Sequence, residues 1–416
     1  MFAQLGKKSY LCAFIDFANV TMKYLCSHIL LPLFLCGICI AIFSCSSASS
    51  GTNDPDPVDT TDTVTPPDTV PHDTIPRYPR EQTGSYARGV DCSWLTEQEA
   101  DGILFRDSVG VQGECMDILR RTGANAVRLR VWVNHSTGWC NLPDVLVKAR
   151  RADSLGYRLM IDFHYSDYFC DPSTQTTPAA WTDYSLTQLQ MAVRNHTIEV
   201  LTALKEINIT PEWVQVGNET RNGMLWPTGK LWDENGDLPD GWKNYAALER
   251  TGYNAVKTVF PDTKVIVHID NAYQNNNWFF RKLKTNSGKF DIIGLSHYPM
   301  KKLWSGKDWQ EMNDLAVSNI QTLYNEFRCP IMLSEIGTYG DYLSEARALQ
   351  VMQDLLPRLR QMDYFCGVFY WEPQVFNDWK PKEYNAVGWG AYDMGAFTTQ
   401  GAPNKALRYM LKMTEE

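Results

Sequence analysis

From Tyr86 onward the sequence alternates eight times between a short β-rich run and a stretch, most of them amphipathic, and this restricts the fold more than any other feature. The predicted strands are Ala87–Cys92, Ala126–Val133, Arg158–His164, Trp213–Gly217, Lys264–Ile269, Ile292–Ser296, Ile331–Ser334 and Gly367–Trp371. Amphipathic stretches such as Leu142–Leu155, Leu186–Ile207, Trp242–Val259, Met312–Phe327 and Ser344–Met362 lie between them. Runs such as Val214-Gln215-Val216 and Ile331-Met332-Leu333 are too continuously apolar for strands with one wet face, and fit parallel strands covered on both sides. Eight repeats match a closed barrel better than an open doubly wound sheet. No Gly-x-Gly-x-x-Gly turn follows the first strand, which argues against a dinucleotide fold. The expected class is therefore α/β, a single (β/α)8 TIM barrel.

The chain ahead of this repeat has another character. Met22-Lys23 is followed by an apolar run from Ile29 to Phe43 and then by Ser44-Cys45-Ser46-Ser47. A short positive start, an apolar stretch and a small residue before the cut make a secretory signal. Its end at Ser44-Cys45 resembles a bacterial lipoprotein signal, with Cys45 lipidated, and residues 1–21 read as upstream sequence. A single membrane-crossing anchor is the alternative for a run of this length. Residues 46–83 contain Asp54-Pro55-Asp56-Pro57, Asp68-Thr69-Val70-Pro71 and Asp73-Thr74-Ile75-Pro76, a Pro/Thr/Asp-rich composition that cannot offset its chain entropy. The expected organisation is thus 1–45 upstream sequence and signal peptide, 46–83 disordered stalk, and 84–416 catalytic domain. The product is an exported lipoprotein at the outer membrane or cell surface, touching the membrane only through its lipid.

Export leads to oxidising conditions, so the six body cysteines are candidates for pairing. Cys329 with Cys366 and Cys140 with Cys170 are the pairs the strand positions suggest, and buried free thiols are the alternative. The net charge of −9, without a sustained Lys/Arg run, excludes a nucleic-acid footprint. Fourteen Trp and 20 Tyr give more aromatic surface than a core alone needs, and flat aromatic faces also stack on sugars.

In a barrel of this kind the C-terminal strand ends face the active site. Read in order, those ends carry Asp91 and Trp94; Arg128, Arg130 and Trp132; Asp162, His164, Tyr165 and Asp167; Asn218-Glu219; His268 and Asp270; His297-Tyr298; Glu335; and Trp371-Glu372. Glu219 ends the fourth strand and Glu335 the seventh, so the two carboxylates can flank a bound sugar. Glycoside cleavage needs such a pair, and a separation of about 5–5.5 Å lets the second carboxylate attack the anomeric carbon directly, with retention. No His-Glu-x-x-His or close Cys/His pair supports zinc.

Asn218-Glu219 with Glu335 resembles clan A of the retaining glycoside hydrolases. Longer strings narrow the resemblance: Arg88-Gly89-Val90-Asp91, Arg128-Leu129-Arg130-Val131-Trp132, Asp162-Phe163-His164-Tyr165-Ser166-Asp167, Gln215-Val216-Gly217-Asn218-Glu219 and Tyr370-Trp371-Glu372-Pro373. From about Tyr86 to the C-terminus the chain resembles glycoside hydrolase family 53, the arabinogalactan endo-β-1,4-galactanases. The resemblance implies Glu219 as general acid/base and Glu335 as nucleophile. It also implies Asn218 on the sugar 2-hydroxyl, Arg128 and Tyr298 orienting Glu335, and His164 and Trp371 lining the subsite floor. Arg130 is the alternative to Arg128. Asp91, Trp94 and Trp132 join the substrate-binding set, the tryptophans either stacking on sugar or filling the barrel top. His164, His268 and His297 are expected to bond sugar hydroxyls or one another.

The function implied is retaining endo-hydrolysis of β-1,4-galactan side chains of pectin, by a monomer that needs no redox or nucleotide cofactor. Some family members carry a calcium in loops after the late strands. Asp378, Asn385 and Asp393 offer oxygens there, with no spacing that demands an ion. Ser296-His297-Tyr298-Pro299 and Glu335-Ile336-Gly337-Thr338 depart from the usual family strings, which bears on chain contacts more than on the acidic pair. Mannan or glucan as substrate, or a surface glycan-binding protein on a decayed barrel, are the alternatives.

Overall fold

The computed structural model describes residues 77–299, 306–338, 345–382, 384 and 392–412. The predicted signal, Cys45, Asn385 and the stalk up to residue 76 lie outside the described residues. Eight strands, β1 (Ala87–Asp91), β2 (Ala126–Val131), β3 (Arg158–Phe163), β4 (Trp213–Val216), β5 (Lys264–Ile269), β6 (Ile292–His297), β7 (Ile331–Ile336) and β8 (Phe365–Tyr370), pair in sequence order. Every neighbour is parallel and β8 returns to β1, so the sheet closes into the expected barrel. The surrounding helices are α1 (Leu95–Ala100), α2 (Cys115–Thr122), α3 (Leu142–Ser154), α4 (Leu186–Glu206), α5 (Gly241–Val259), α6 (Asn277–Thr285), α7 (Trp309–Phe327), α8 (Glu345–Arg360) and α9 (Lys405–Lys412). Helix α4 begins where Ser185 and Gln188 form a reciprocal capping box that satisfies free N–H groups of its first turn. Among the described residues no helix is long and apolar enough to cross a membrane.

Alternation along the strands sorts the side chains into two cores. Outward residues such as Val127, Leu129, Ile161, Val214, Val267, Ile293 and Leu333 pack beneath the helices. Inward residues begin with an apolar plug made of one residue per strand: Ala87, Ala126, Met160, Trp213, Ile266, Ile292, Met332 and Phe369. The plug is tight. A Cβ on Gly89 would come within 2.1 Å of the Phe369 ring, so only glycine fits there. Two residues further along, the inward positions become Arg128, Asp162, Gln215 and His268, all buried. The barrel interior thus changes from apolar to charged over a single step of the pleat, and that change sets the depth of the site.

Residues 77–86 hold to the barrel's N-terminal face as a strap, although 77–83 are expected to belong to a disordered stalk. Arg77 N donates to Ser154 O (2.7 Å), Tyr78 Oη to Asp117 (2.6 Å) and Gly84 N to Glu212 (2.9 Å), while Arg120 donates to Pro79 O (2.8 Å). Arg80 pairs with Asp153 and Glu81 with Arg88. Aromatic and basic side chains, Tyr78 and Arg80 among them, make these contacts, and such residues are scarce in the Pro/Thr/Asp-rich sequence before them.

The expected disulfides do not form: all six body cysteines are free thiols. Cys140 Sγ lies against Ser93 O and Arg130, Cys170 Sγ against His164 O, and Cys366 Sγ against Ile331 O. Each of these three sulfurs has a backbone carbonyl to donate to.

Candidate active site

The two carboxylates reach the rim by irregular backbone. After β4 the chain turns through Gly217 (φ +83°) and places Glu219 in the left-handed region (φ +46°, ψ +49°). Tyr165 after β3 and Glu372 after β8 share that conformation, one that non-glycine residues adopt only when their surroundings impose it. On β7 strict alternation would put Met332 and Ser334 inside and Glu335 outside. The pairing with β6 slips instead, from Leu295 opposite Leu333 to Ser296 opposite Glu335. The extra residue is a bulge that turns Glu335 inward and sends Ile336 to the outer core.

Glu335 is held from two sides. Arg128 Nη2 lies 2.9 Å from its Oε1, and Tyr298 Oη donates to its Oε2 at 2.7 Å. Arg128 is fixed in turn by Asp91 (2.7 Å) and Asp162 (2.8 Å), and Nη2 also donates to Asn218 Oδ1 (2.8 Å). Burial would lower the guanidinium's pKa, but Asp162, Glu335 and Asp91 together raise it and keep it charged. Burial pushes the Glu335 carboxyl up, while Arg128 and Tyr298 pull it back toward the ionised form. Glu219 sits among acidic groups instead. Desolvation, then the charges of Glu335 and Asp270, push it well above the usual carboxylate range, and a hydrogen bond from Ser296 works the other way. Both carboxyls lie above their ordinary range, Glu219 well above it and Glu335 tempered by Arg128 and Tyr298. Glu219 is therefore the better suited to act as the acid and Glu335 the more readily ionised, the division of labour that glycoside cleavage requires.

Arg130 is turned to other work. It meets Glu372 at 3.3 Å and packs over the rings of Trp94, Trp132 and Phe169, so Arg128 is the arginine that touches Glu335. Glu372 is pushed up to about 8 by burial and by Asp91, against the pull of Arg130.

The structure brings Asn218, Arg128, Tyr298, Glu219 and Glu335 together, with Trp371 half-buried at the rim. It removes others of the predicted set from contact with a sugar. Asp91 is fully buried and spends its oxygens on Arg128 and Ser93. Trp94 is enclosed by Phe169, Trp371, Trp379, Tyr384 and Tyr392, and Trp132 by His135, Tyr168 and Phe169. Both are at most 2% exposed, so these rings fill the barrel top and have no face free for stacking. His164 uses both nitrogens on the protein, one toward Asp162 (3.1 Å) and one accepting from Cys170 N (3.0 Å). His297 points outward to Asn313 on α7 (2.9 Å), since alternation along β6 turns Ser296 and Tyr298 inward.

Sequence reasoning missed Gln175, whose amide donates to Asn218 O (2.8 Å), and Ser296, whose hydroxyl serves Glu219. Gln175 lies in a long loop with no periodicity to reveal it. Ser296 had a signal, its place two residues before Tyr298 on one strand face. Of the oxygens considered for calcium, Asp378 and Asp393 are described, and among the described residues no group of three or more His, Cys, Asp or Glu is arranged to hold a metal ion.

Comparison with known proteins gives a consistent answer. The pattern of glycosyl hydrolase family 53 matches residues 87–410. A Niallia circulans protein, named only for its place in the region 5′ of bgaB, is 34% identical over 346 residues, 76% of this chain and 91% of that protein. An arabinogalactan endo-β-1,4-galactanase of Humicola insolens is 30% identical over 308 residues, 69% of this chain and 89% of that one. Among solved structures, the GH53 catalytic domain of Ignisphaera aggregans superposes with a TM-score of 0.67 at 27% identity, covering 83% of this chain and all of that domain.

Proposed function

The chain belongs to glycosyl hydrolase family 53, and from that membership and the site geometry we propose that it cleaves β-1,4-galactosidic bonds within the (arabino)galactan side chains of pectin, with retention of configuration. The enzyme is an endo-β-1,4-galactanase, like the Humicola insolens relative. One observation carries the assignment of roles: Glu335 is gripped by Arg128 and Tyr298, while Glu219 lies among acidic neighbours that favour its protonated form.

In the first step the Glu335 carboxylate forms a bond to the anomeric carbon as the glycosidic C–O bond breaks, and the Glu219 proton goes to the departing oxygen. A galactosyl ester on Glu335 and an ionised Glu219 result. Glu219 then takes a proton from water, the water oxygen bonds to the anomeric carbon from the face the leaving group vacated, and Glu335 departs as the carboxylate. Two inversions give retention. Asn218 precedes Glu219 in the chain and shares Arg128 with Glu335; its Oδ1 is held by Arg128 and one N–H is donated to Cys170 O (2.8 Å), which leaves its second amide N–H for the sugar 2-hydroxyl.

The test is incubation with linear β-1,4-galactan, following product sizes over time beside a Glu335→Gln variant. Early accumulation of mixed oligosaccharides from the wild type, absent in the variant, is expected. Cleavage of mannan or glucan in place of galactan would overturn the substrate, and binding without cleavage would overturn the chemistry. Tethering through a lipid on Cys45 completes the proposal, supported by the Ser44-Cys45 signal sequence, and incorporation of labelled fatty acid that is lost in Cys45→Ala checks it.

A further inference from the structure

We infer that Gln175 is a positioning residue for the acid/base carboxyl, its side-chain amide fixing the peptide between Asn218 and Glu219; this rests on the acid/base reading of Glu219 given above. Gln175 lies in the loop between β3 and α4 and is 1% exposed. It directly follows a short turn closed by Asp171 N and Thr174 O (2.9 Å), and its side chain folds back over that turn. The amide has two hydrogens, and two backbone carbonyls take them: Asn218 O at 2.8 Å and Asp171 O at 3.1 Å. Glu219 O lies farther off, at 3.5 Å, and already accepts from Arg221 N (2.9 Å). Facing carbonyls, the amide must present its nitrogen to them and not its oxygen.

The backbone of the same residue holds the chain beyond Glu219. Gln175 O accepts from Trp226 N (2.8 Å), and nearby Thr177 Oγ1 donates to Trp226 O (2.8 Å). Gln175 thus grips the β4–α5 segment on both sides of the acid/base residue, with its side chain at Asn218 and its backbone at Trp226. The grip at Asn218 matters for a geometric reason. Rotating the 218–219 peptide changes φ of Glu219, and that angle stands at +46°, a region that a glutamate leaves when nothing imposes it. Pinned by the Gln175 amide, Asn218 O cannot turn, and the Cα–Cβ bond of Glu219 keeps its direction. On the far face of the turn Thr220 Oγ1 meets Tyr245 Oη (2.7 Å), so the segment stays attached to α5 when Gln175 is changed.

The consequence falls on the steps that move a proton through Glu219. Proton transfer to the departing oxygen needs the carboxyl within hydrogen-bond reach of it, and a small displacement is costly. Attack by Glu335 depends on other contacts, since Arg128 from β2 and Tyr298 after β6 hold that carboxylate. The Asn218 side chain has its own anchors in Arg128 and Cys170 O. Loss of the Gln175 amide therefore weakens acid catalysis more than nucleophilic attack.

The experiment compares wild type, Gln175→Met and Gln175→Glu by kcat/KM on two substrates. One is β-1,4-galactan, whose leaving sugar must be protonated; the other is a dinitrophenyl β-galactobioside, whose leaving group departs without a proton. Gln175→Met keeps the length of the side chain and removes both donors. Its kcat/KM is expected to fall roughly 10- to 100-fold on galactan and to stay within about threefold of wild type on the dinitrophenyl substrate. Gln175→Glu regains one donor when protonated, so its deficit on galactan relative to wild type is expected to shrink as the pH falls. If Gln175→Met does not fold, Gln175→Glu decides by the same comparison of substrates in the alkaline range. A fall of equal size on both substrates, or on neither, overturns the positioning role while leaving Glu219 and Glu335 in theirs. A wild-type protein with no action on galactan overturns the reading on which that role rests.

Discussion

Tyr298 and Arg128 reach the Glu335 carboxylate by separate hydrogen bonds, so each can be removed while the other remains. Tyr298→Phe deletes one donor to an anion whose burial already favours its protonated form. The nucleophile must be ionised to attack, so the acidic limb of kcat/KM is expected to move to higher pH, and activity at the optimum to fall roughly 10- to 100-fold. A pH–rate profile on galactan checks both. At this scale the sequence was partly legible. Glu219, Glu335, Asn218 and Arg128 were marked by strand ends and by strings that travel together. Asp91, Trp94 and Trp132 were marked by the same signal, yet they stand one layer behind the groove. A strand end shows height in the barrel, and it does not show whether a neighbour's ring already covers the side chain.

The turn after β4 carries the acid/base residue, and Gly217 is its hinge. Its positive φ suits glycine, and an added Cβ would come within 2.5 Å of the Thr220 methyl. Gly217→Ala is expected to cost about 1–3 kcal/mol of stability and to lower kcat, because Glu219 is displaced with the turn; denaturant unfolding and steady-state kinetics measure the two effects. Helix α5 carries a second irregularity, Glu249, which is fully buried and accepts from Lys289 N (2.7 Å). Burial raises its pKa to about 8. The folded state therefore binds a proton that the unfolded chain has released above its ordinary range near 4.5. Its contribution to stability is complete below about 4.5, declines as pH rises between there and about 8, and levels off above that. Glu249→Gln removes that decline, so its melting temperature is expected to gain on the wild type steadily from pH 5 to pH 8. The eight strands and the long helices were legible from periodicity within a few residues. The bulge in β7 was not, because alternation taken literally sends Glu335 to the outside, and only pairing with β6 shows the slip.

Across the whole molecule the strap is the feature that composition concealed. Residues 77–83 follow a Pro/Thr/Asp-rich tract and read as its continuation, but Tyr78, Arg80 and Glu81 bind the foot of the barrel through Asp117, Asp153 and Arg88. A chain beginning at residue 84 is therefore expected to melt several degrees below one beginning at residue 77, with unchanged kcat on galactan, since the strap and the carboxylates lie at opposite ends. Differential scanning calorimetry of the two lengths decides it. The barrel was legible because each repeat announces itself locally, whereas the strap depends on contacts with α2 and with the last turn of α3 that no local pattern records. Its position also governs reach. The described chain enters the body at the end remote from the groove; were the lipid proposed on Cys45 to moor it, a galactan too bulky to slip beneath the protein would still meet the two glutamates from open solution.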